Sequence, residues 1–305
     1  MVELSIIIVN WNTGMLLENC LSSIQSNLCD CEYEIIVIDN ASIDNDLDNI
    51  LKQNTQTRII YNHENVGFAR ANNQGISIAT GNYLLILNPD TVIKPHSIDI
   101  LIQYLAKNKN VAAVGPKLLN ADGTLQVSAS RSPTLAREFW RLLHLDRLFS
   151  VSQYPLASFI NKKPISVDIL LGACILIRSQ VIKEVGLLDE DYFVYSEEVD
   201  LCERIRKNGW RLHWVPDAEV IHFGGMSTRQ ASLAMFIELY RNKIKFFRKN
   251  KGIIQVRIYK LIIWIASIIR IIVCSFLKML PLRNRDELIA ISNNYLALIN
   301  ELPEL

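Results

Sequence analysis

Short apolar runs alternate with longer amphipathic segments along the first third of the chain. Residues 4–9, 34–38, 58–61, 83–87 and 111–114 are rich in Ile, Val and Leu, which predicts strands buried on both faces. Between them, residues 13–28 set Leu16, Leu17, Cys20, Leu21 and Ile24 on one helical face, and residues 68–79 and 96–107 repeat that period. Strands alternating with helices predict an α/β fold with a mostly parallel sheet. After a less regular stretch from about 116 to 166, residues 167–177 predict another buried strand. Residues 196–208 predict a helix capped by Ser196 and stopped by Gly209, followed by two short strands at 210–215 and 219–222.

In such sheets ligands bind outside the carboxyl ends of the strands. Here those ends are polar: Asn10-Trp11-Asn12, Asp39-Asn40-Ala41-Ser42, the segment 62–67, and Asn88-Pro89-Asp90. Neither G-x-G-x-x-G after the first strand nor G-x-x-x-x-G-K-[ST] occurs, which removes the ordinary dinucleotide-binding and P-loop readings. A metal ion is the economical alternative, because a carboxylate such as Asp90 can share a divalent cation with a diphosphate.

Three further groups carry candidate chemistry. Glu197, Glu198 and Asp200 cluster at the start of the 196–208 helix. There, acids stabilise the helix dipole by roughly 0.3–1 kcal/mol each, and their mutual repulsion raises a carboxyl pKa toward the range of a general base. His222, at a strand end before Phe223-Gly224-Gly225, is the histidine best placed to complete a divalent-metal site. Asn65, Gly67, Phe68 and Arg70 lie where a glycine turn meets a helix start, an arrangement suited to a nucleotide's ribose or phosphates.

Composition sets the outer bounds. The 305 residues are half hydrophobic, which excludes disorder and a small disulfide scaffold. Thirty-two basic against 31 acidic side chains argue for no nucleic-acid partner. That balance hides an asymmetry: residues 1–240 carry 20 basic and 27 acidic groups, whereas 241–285 carry 12 basic and none acidic. The six cysteines, at 20, 29, 31, 174, 202 and 274, lack zinc-ligand spacing and read as reduced thiols. The N-terminus shows no basic n-region or cleavage site, so a cytoplasmic body is expected.

The ordered anchors Ile6 to Asn12, Val37 to Ser42, Asn65 to Phe68, Asn88-Pro89-Asp90, Gly172-Ala173-Cys174, Tyr195 to Leu201 and His222 to Gly225 resemble the family 2 glycosyltransferases of the GT-A fold. The resemblance is strongest to the rhamnosyltransferase-like branch that builds bacterial surface polysaccharides such as O-antigen or capsule, and it covers roughly residues 3–230. It implies that Val9, Asn10, Asn12 and Asp39 line the base and ribose pocket of a nucleotide-sugar, flanked by Asn65 to Arg70. It also implies that Asp90, behind Asn88, holds Mn²⁺ or Mg²⁺ with His222. Glu198 aligns with the position where the family usually carries its catalytic Asp, but Glu-Glu stands where Glu-Asp is commoner, so the base is Glu198 or Glu197, with Asp200 beside them. Arg229 and Arg131 are weaker candidates for diphosphate or acceptor contacts. The implied reaction is inverting transfer of one or a few sugars, since the Q-x-x-R-W motif of processive synthases is missing. The donor would be dTDP-rhamnose by branch resemblance, or a UDP-hexose, and the acceptor a lipid-linked saccharide. The rivals are a silent membrane scaffold and a sugar-phosphate nucleotidyltransferase; the latter needs a basic Gly-rich loop that residues 10–14 do not supply.

Two domains follow from the charge pattern, a catalytic body at 1–240 and a basic helical tail at 241–305. Within the tail the nine uncharged residues 261–269 end at Arg270, short of the roughly 20 apolar residues a membrane span needs. Arg257, Lys260, Arg270 and Lys278 fall on one arc of a helical wheel opposite an apolar face, as in a helix lying on a membrane. Arg241, Lys243, Lys245, Arg248, Lys249 and Lys251 would meet anionic headgroups at about 1 kcal/mol each. The tail thus predicts peripheral attachment to the inner face of the cell membrane, with packing on its own domain or a homodimer seam as the other uses of its apolar face.

Overall fold

A computed structural model describes residues 2–27, 31–43, 50, 57–155, 158–159, 163–224, 232–278 and 285–305. The chain divides into two compact units, Met1–Ser132 with Tyr154–Gln230, and Pro133–Gln153 with Ala231–Leu305.

The first unit is built on a mixed sheet. Its strands are β1 (Leu4–Asn10), β2 (Tyr33–Asp39), β3 (Thr57–Tyr61), β4 (Tyr83–Leu87), β5 (Thr91–Ile93), β6 (Val111–Leu119), β7 (Leu125–Gln126), β9 (Ile165–Val167), β11 (Cys174–Arg178) and β12 (Arg211–His222); β8 (Ala129–Ser130) and β10 (Ile169–Leu170) pair separately. The order along the sheet is β3-β2-β1-β4-β11-β6-β12-β5. The first four strands are parallel, β11 runs antiparallel to both neighbours, and β5 closes the edge antiparallel to β12. Every residue of β1 is buried, because its alternate side chains enter two apolar layers. Ile6 and Ile8 meet Leu17, Leu21 and Ile24 of α1 (Gly14–Asn27), while Ile7 and Val9 join the layer of Ala69, Ala71 and Ile76 from α2 (Phe68–Ile78). Helix α3 (Ser97–Lys107) completes the first layer.

Three expectations are corrected. Residues 167–177 do not form one strand. Asp168 accepts a bond from the Ser132 amide (3.0 Å) and pairs with Arg206 (3.2 Å), which draws the chain out of the ladder before β11. Instead of two strands at 210–215 and 219–222, residues 211–222 form the single β12. Pro216 lacks a donor and interrupts the pattern, but a register shift between Val215 and Glu219 absorbs it. Ser196 stands before α6 (Glu197–Lys207) with φ 72° and makes no side-chain cap; Gly209, at φ 86°, does end that helix.

The second unit packs α4 (Leu135–Leu142) with α7 (Ser232–Lys251), α8 (Ile253–Leu277) and α9 (Arg285–Glu301). Helix α8 has 25 residues and a mean hydropathy of 2.2 over its most apolar window. By length and composition alone it meets the requirement for crossing a membrane, despite Arg270. It buries Val256, Tyr259, Ile263, Ala266, Ser267 and Cys274, and leaves Ile254, Ile258, Leu261, Ile265, Ile272 and Phe276 exposed along the opposite face. Three basic residues turn back to their own unit: Lys260 donates to the Pro303 carbonyl, Lys278, just past the helix, to Ser292 Oγ, and Arg270 lies over the Tyr295 ring.

Lys243, expected at lipid headgroups, is instead packed inside. It lies 3.4 Å from Glu138, which also accepts from Tyr259 Oη at 3.0 Å and pairs with Arg141. Burial pushes the Lys243 ammonium down to about 8, against the pull of Glu138. Burial likewise works to raise the Glu138 carboxyl, but the charges of Lys243 and Arg141 hold it below its usual value.

The five described cysteines are free thiols. Cys29 lies outside the described residues.

Candidate functional site

The parallel strands end together, and their terminal side chains bind one another. Asn10 and Asp39 are register partners at the ends of β1 and β2. Asn10 Nδ2 donates to Asp39 Oδ1 and to Ser42 Oγ, each at 3.0 Å, and the Ser42 amide donates to Asp39 Oδ2 at 3.1 Å. The Asn12 amide donates to Ser42 Oγ (2.9 Å), and Asn12 Oδ1 accepts from the Ile43 amide (2.8 Å). Asn12 and Ala41 hold φ of 54° and 62°, a conformation costly for residues with a Cβ and characteristic of ligand loops. Val9 is buried in the second apolar layer and supports the strand end that carries Asn10.

Asn65 adjoins this group. Its Oδ1 accepts from Asn40 Nδ2 (2.8 Å) and from the Gly67 amide (3.0 Å), so Asn40 fixes the turn that opens α2. Gly67 is required there: its φ is 86°, and an added Cβ would stand 2.6 Å from the Phe193 carbonyl oxygen. The Phe68 amide donates to that same oxygen at 2.7 Å. Asn73 grips the same loop, donating to the Leu188 carbonyl (2.8 Å) and accepting from the Leu188 amide (3.0 Å). Arg70 is exposed and lies 3.8 Å from Glu190. The segment before α6 is thereby pinned to the helix whose start flanks the β1–β2 loops.

Tyr195 and Ser196 follow with φ of 69° and 72°, immediately before Glu197 and Glu198. Burial pushes both carboxyls up, and at Glu197 the neighbouring Glu198 charge adds to the rise. Oε2 of each is buried without a hydrogen-bond partner. A carboxyl held this way gains by taking up a proton, as a general base does. Asp200 is arranged differently: it accepts from Arg204 Nε at 2.7 Å, and Arg204 also donates to the carbonyls of Val185 (2.6 Å) and Leu187 (2.8 Å). Asp200 therefore anchors α6 to α5 (Ser179–Val185).

Glu198 is linked to the Asn88-Pro89-Asp90 turn through Gly172 and Ala173. A Cβ at Gly172 would lie 3.6 Å from Glu198 Cβ, and the next residue, Ala173, accepts from the Asn88 amide at 2.9 Å. Asp90 Oδ1 lies 3.3 Å from His222 Nε2, with both side chains about 10% exposed. Asn88 Nδ2 lies 3.4 Å from the same nitrogen. The antiparallel pairing of β12 with β5, His222 opposite Thr91, brings these residues together from 132 positions apart in sequence. Among the described residues no set of three or more His, Cys, Asp or Glu gathers as a metal cluster. One carboxylate and one imidazole fit a divalent cation that takes its remaining ligands from a diphosphate and water.

Arg229 lies outside the described residues. Arg131 stacks over the Tyr154 ring. Sequence reasoning missed Phe193 and Gln126, which meet the Phe68 amide and the His222 ring, residues far away in the chain.

A family model for Glycosyl transferase family 2 matches residues 5–186. The chain is 27% identical over 249 residues to an N-acetylglucosaminyl-diphospho-decaprenol L-rhamnosyltransferase of Mycobacterium tuberculosis, covering 74% of this chain and 77% of that protein. It is 30% identical over 230 residues to rhamnosyltransferase WbbL of Escherichia coli, covering 67% and 77%. A crystal structure of GalNAc-T7 with UDP, GalNAc and Mn²⁺ matches 97% of this chain and 55% of its own, at a TM-score of 0.59 and 16% identity, which speaks to the fold alone. With strand ends, carboxyl pair and turn arranged on a GT-A-like sheet, and with the family matched over more than half its length, the chain belongs to glycosyl transferase family 2, as a rhamnosyltransferase-like enzyme of glycosyl transfer.

Proposed function

We propose that the protein is an inverting, metal-dependent, non-processive glycosyltransferase that moves rhamnose from dTDP-rhamnose, or a hexose from a UDP-sugar, to a hydroxyl of a lipid-linked saccharide. The observation that carries this reading is the convergence of the raised carboxyls of Glu197 and Glu198 with the Asp90–His222 pair, joined through Gly172-Ala173 and Asn88. The rhamnosyltransferases matched above support the donor, and the diphospho-decaprenol in the name of one supports a lipid-linked acceptor.

The reaction divides among these side chains. Asn10, Asn12 and Asp39 bind the base and ribose, with Asn65, Gly67 and Phe68 along the edge. Asp90 and His222 are the residues that would hold Mn²⁺ or Mg²⁺ against the diphosphate, with Asn88 beside them. When bound, the cation supplies neutralisation of the charge developing on the leaving diphosphate. Glu198 takes the proton of the acceptor hydroxyl as its oxygen bonds to the anomeric carbon and the bond to the diphosphate oxygen breaks. Glu197, the more deeply buried carboxyl of the two, is pushed toward its protonated form by burial and by the Glu198 charge. Asp200 positions the helix that carries both.

We assign catalysis to the first unit and attachment to the inner membrane face to the second. The exposed apolar face of α8 supports this assignment, as does the basic excess of residues 241–285. The test is a panel of dTDP-rhamnose, UDP-glucose, UDP-galactose and UDP-N-acetylglucosamine with a polyprenyl-diphosphate-linked N-acetylglucosamine acceptor, read by mass spectrometry. Addition of one deoxyhexose, abolished by chelation and restored by Mn²⁺, is expected. No transfer and no donor hydrolysis with any member would refute the reading.

A further inference from the structure

Two fixed acceptors determine how the Gln126 amide is oriented against the His222 ring. Gln126, in the short strand β7, meets His222 twice across 96 residues of sequence: Oε1 lies 2.7 Å from His222 Nδ1, and Nε2 lies 3.3 Å from the His222 carbonyl oxygen. A carbonyl oxygen can only accept, so the Gln126 nitrogen faces it and the Gln126 oxygen faces the ring. The proton must then sit on Nδ1.

The other side of Gln126 leads to the same orientation. Thr124 Oγ1 donates to Asp122 Oδ1 at 2.6 Å, which leaves its oxygen to accept from Asn120 Nδ2 at 2.9 Å. Asn120 Oδ1 is thereby turned to accept from Gln126 Nε2 at 3.1 Å. The carboxylate at one end and the backbone carbonyl at the other agree on every amide between them. His222 Nε2, on the far side of the ring, faces Asp90 Oδ1 at 3.3 Å.

We infer that Gln126 is the positioning residue of the Asp90–His222 pair: it binds the Nδ1–H of the ring, so that the neutral imidazole is held as the Nδ1–H tautomer, and turns Nε2 toward Asp90. This rests on the metal reading proposed above and extends it to a residue of the β6–β7 hairpin. Partners of this kind set the tautomer of a metal-ligating histidine, and their loss typically costs about 10–100-fold in metal affinity.

The test reads the tautomer separately from the metal. In the metal-free, full-length protein with ¹⁵N-labelled histidine at about pH 9, where an ordinary imidazole is neutral, the His222 resonances, assigned by their loss in His222→Asn, should show a protonated Nδ1 and a pyridine-type Nε2. Gln126→Met should mix the tautomers, and Gln126→Glu, which keeps an acceptor opposite Nδ1, should restore the Nδ1–H form. Mn²⁺ titrated in the presence of dTDP should bind about 10–100-fold more weakly to Gln126→Met than to the wild type. A protonated Nε2 in the wild type, or a spectrum unchanged in Gln126→Met, would overturn the inference. Wild-type protein with the expected tautomer but no Mn²⁺ binding would overturn the metal reading while upholding the hold of Gln126 on the ring.

Discussion

Replacing Gly67 with alanine should detach the loop that carries the carboxyl pair from the donor side of the site. Gly67 has φ 86° and ψ 164°, a region that only glycine populates freely and that costs another residue about 1–3 kcal/mol. The new Cβ would stand 2.6 Å from the Phe193 carbonyl oxygen, so the loop must withdraw. It then loses the 2.7 Å bond from the Phe68 amide, worth about 0.5–1.5 kcal/mol. Together these amount to about 2–4 kcal/mol, which at about 2–4 °C per kcal/mol should lower the melting temperature by about 5–15 °C. Phe193 lies four residues before Glu197, and misplacing a reacting group by about 1 Å can cost on the order of 100-fold in rate. Calorimetry and steady-state kinetics on Gly67→Ala should show both effects. A variant that melts and turns over like the wild type would refute the claim that this contact places the carboxyl pair.

Other perturbations separate the remaining parts of the account. Glu197→Gln should stabilise the fold by an amount that grows with pH. A carboxyl whose folded-state value is raised contributes stability at low pH that is lost as pH rises through that value, whereas glutamine does not titrate; parallel melting curves across pH 4–9 would show otherwise. In the wild type, the acid limb of kcat/KM should lie above the ordinary glutamate range, as the raised Glu198 carboxyl requires; a limb at the ordinary value would remove it as the base. Glu138→Gln leaves Lys243 and Arg141 facing each other inside the second unit and should cost about 3–5 kcal/mol in urea unfolding. The triple change Leu261→Ser, Ile265→Ser and Ile272→Ser on the exposed face of α8 should release the protein from anionic vesicles in a sedimentation assay without lowering its melting temperature. Unchanged sedimentation would mean that this face does not hold the protein on lipid.

The parallel half of the sheet was legible because β1, β2 and β4 are buried on both faces and read as unbroken apolar runs. The site was legible where it lies at strand ends, as with Asn10, Asp39 and Asp90, since a parallel sheet gathers those ends whatever their separation in sequence. What sequence could not carry was contact between distant segments. Gln126 reaches His222 across 96 residues and Lys243 reaches Glu138 across 105, and neither leaves a periodic trace. A lysine in a basic run reads as a solvated charge until a buried carboxylate is found opposite it. Pro216 misled for a local reason, because it breaks the donor pattern that defines a strand while a bulge keeps the strand intact.

The most direct test of the central claim is the anomeric configuration of the glycosidic bond formed by the wild type, determined by NMR on the isolated product alongside a reaction with Glu198→Gln. Single displacement with Glu198 as base predicts a product inverted relative to the donor, and no product from the variant even though it still binds the nucleotide. A retained configuration, or a Glu198→Gln variant that transfers sugar at the wild-type rate, would contradict it.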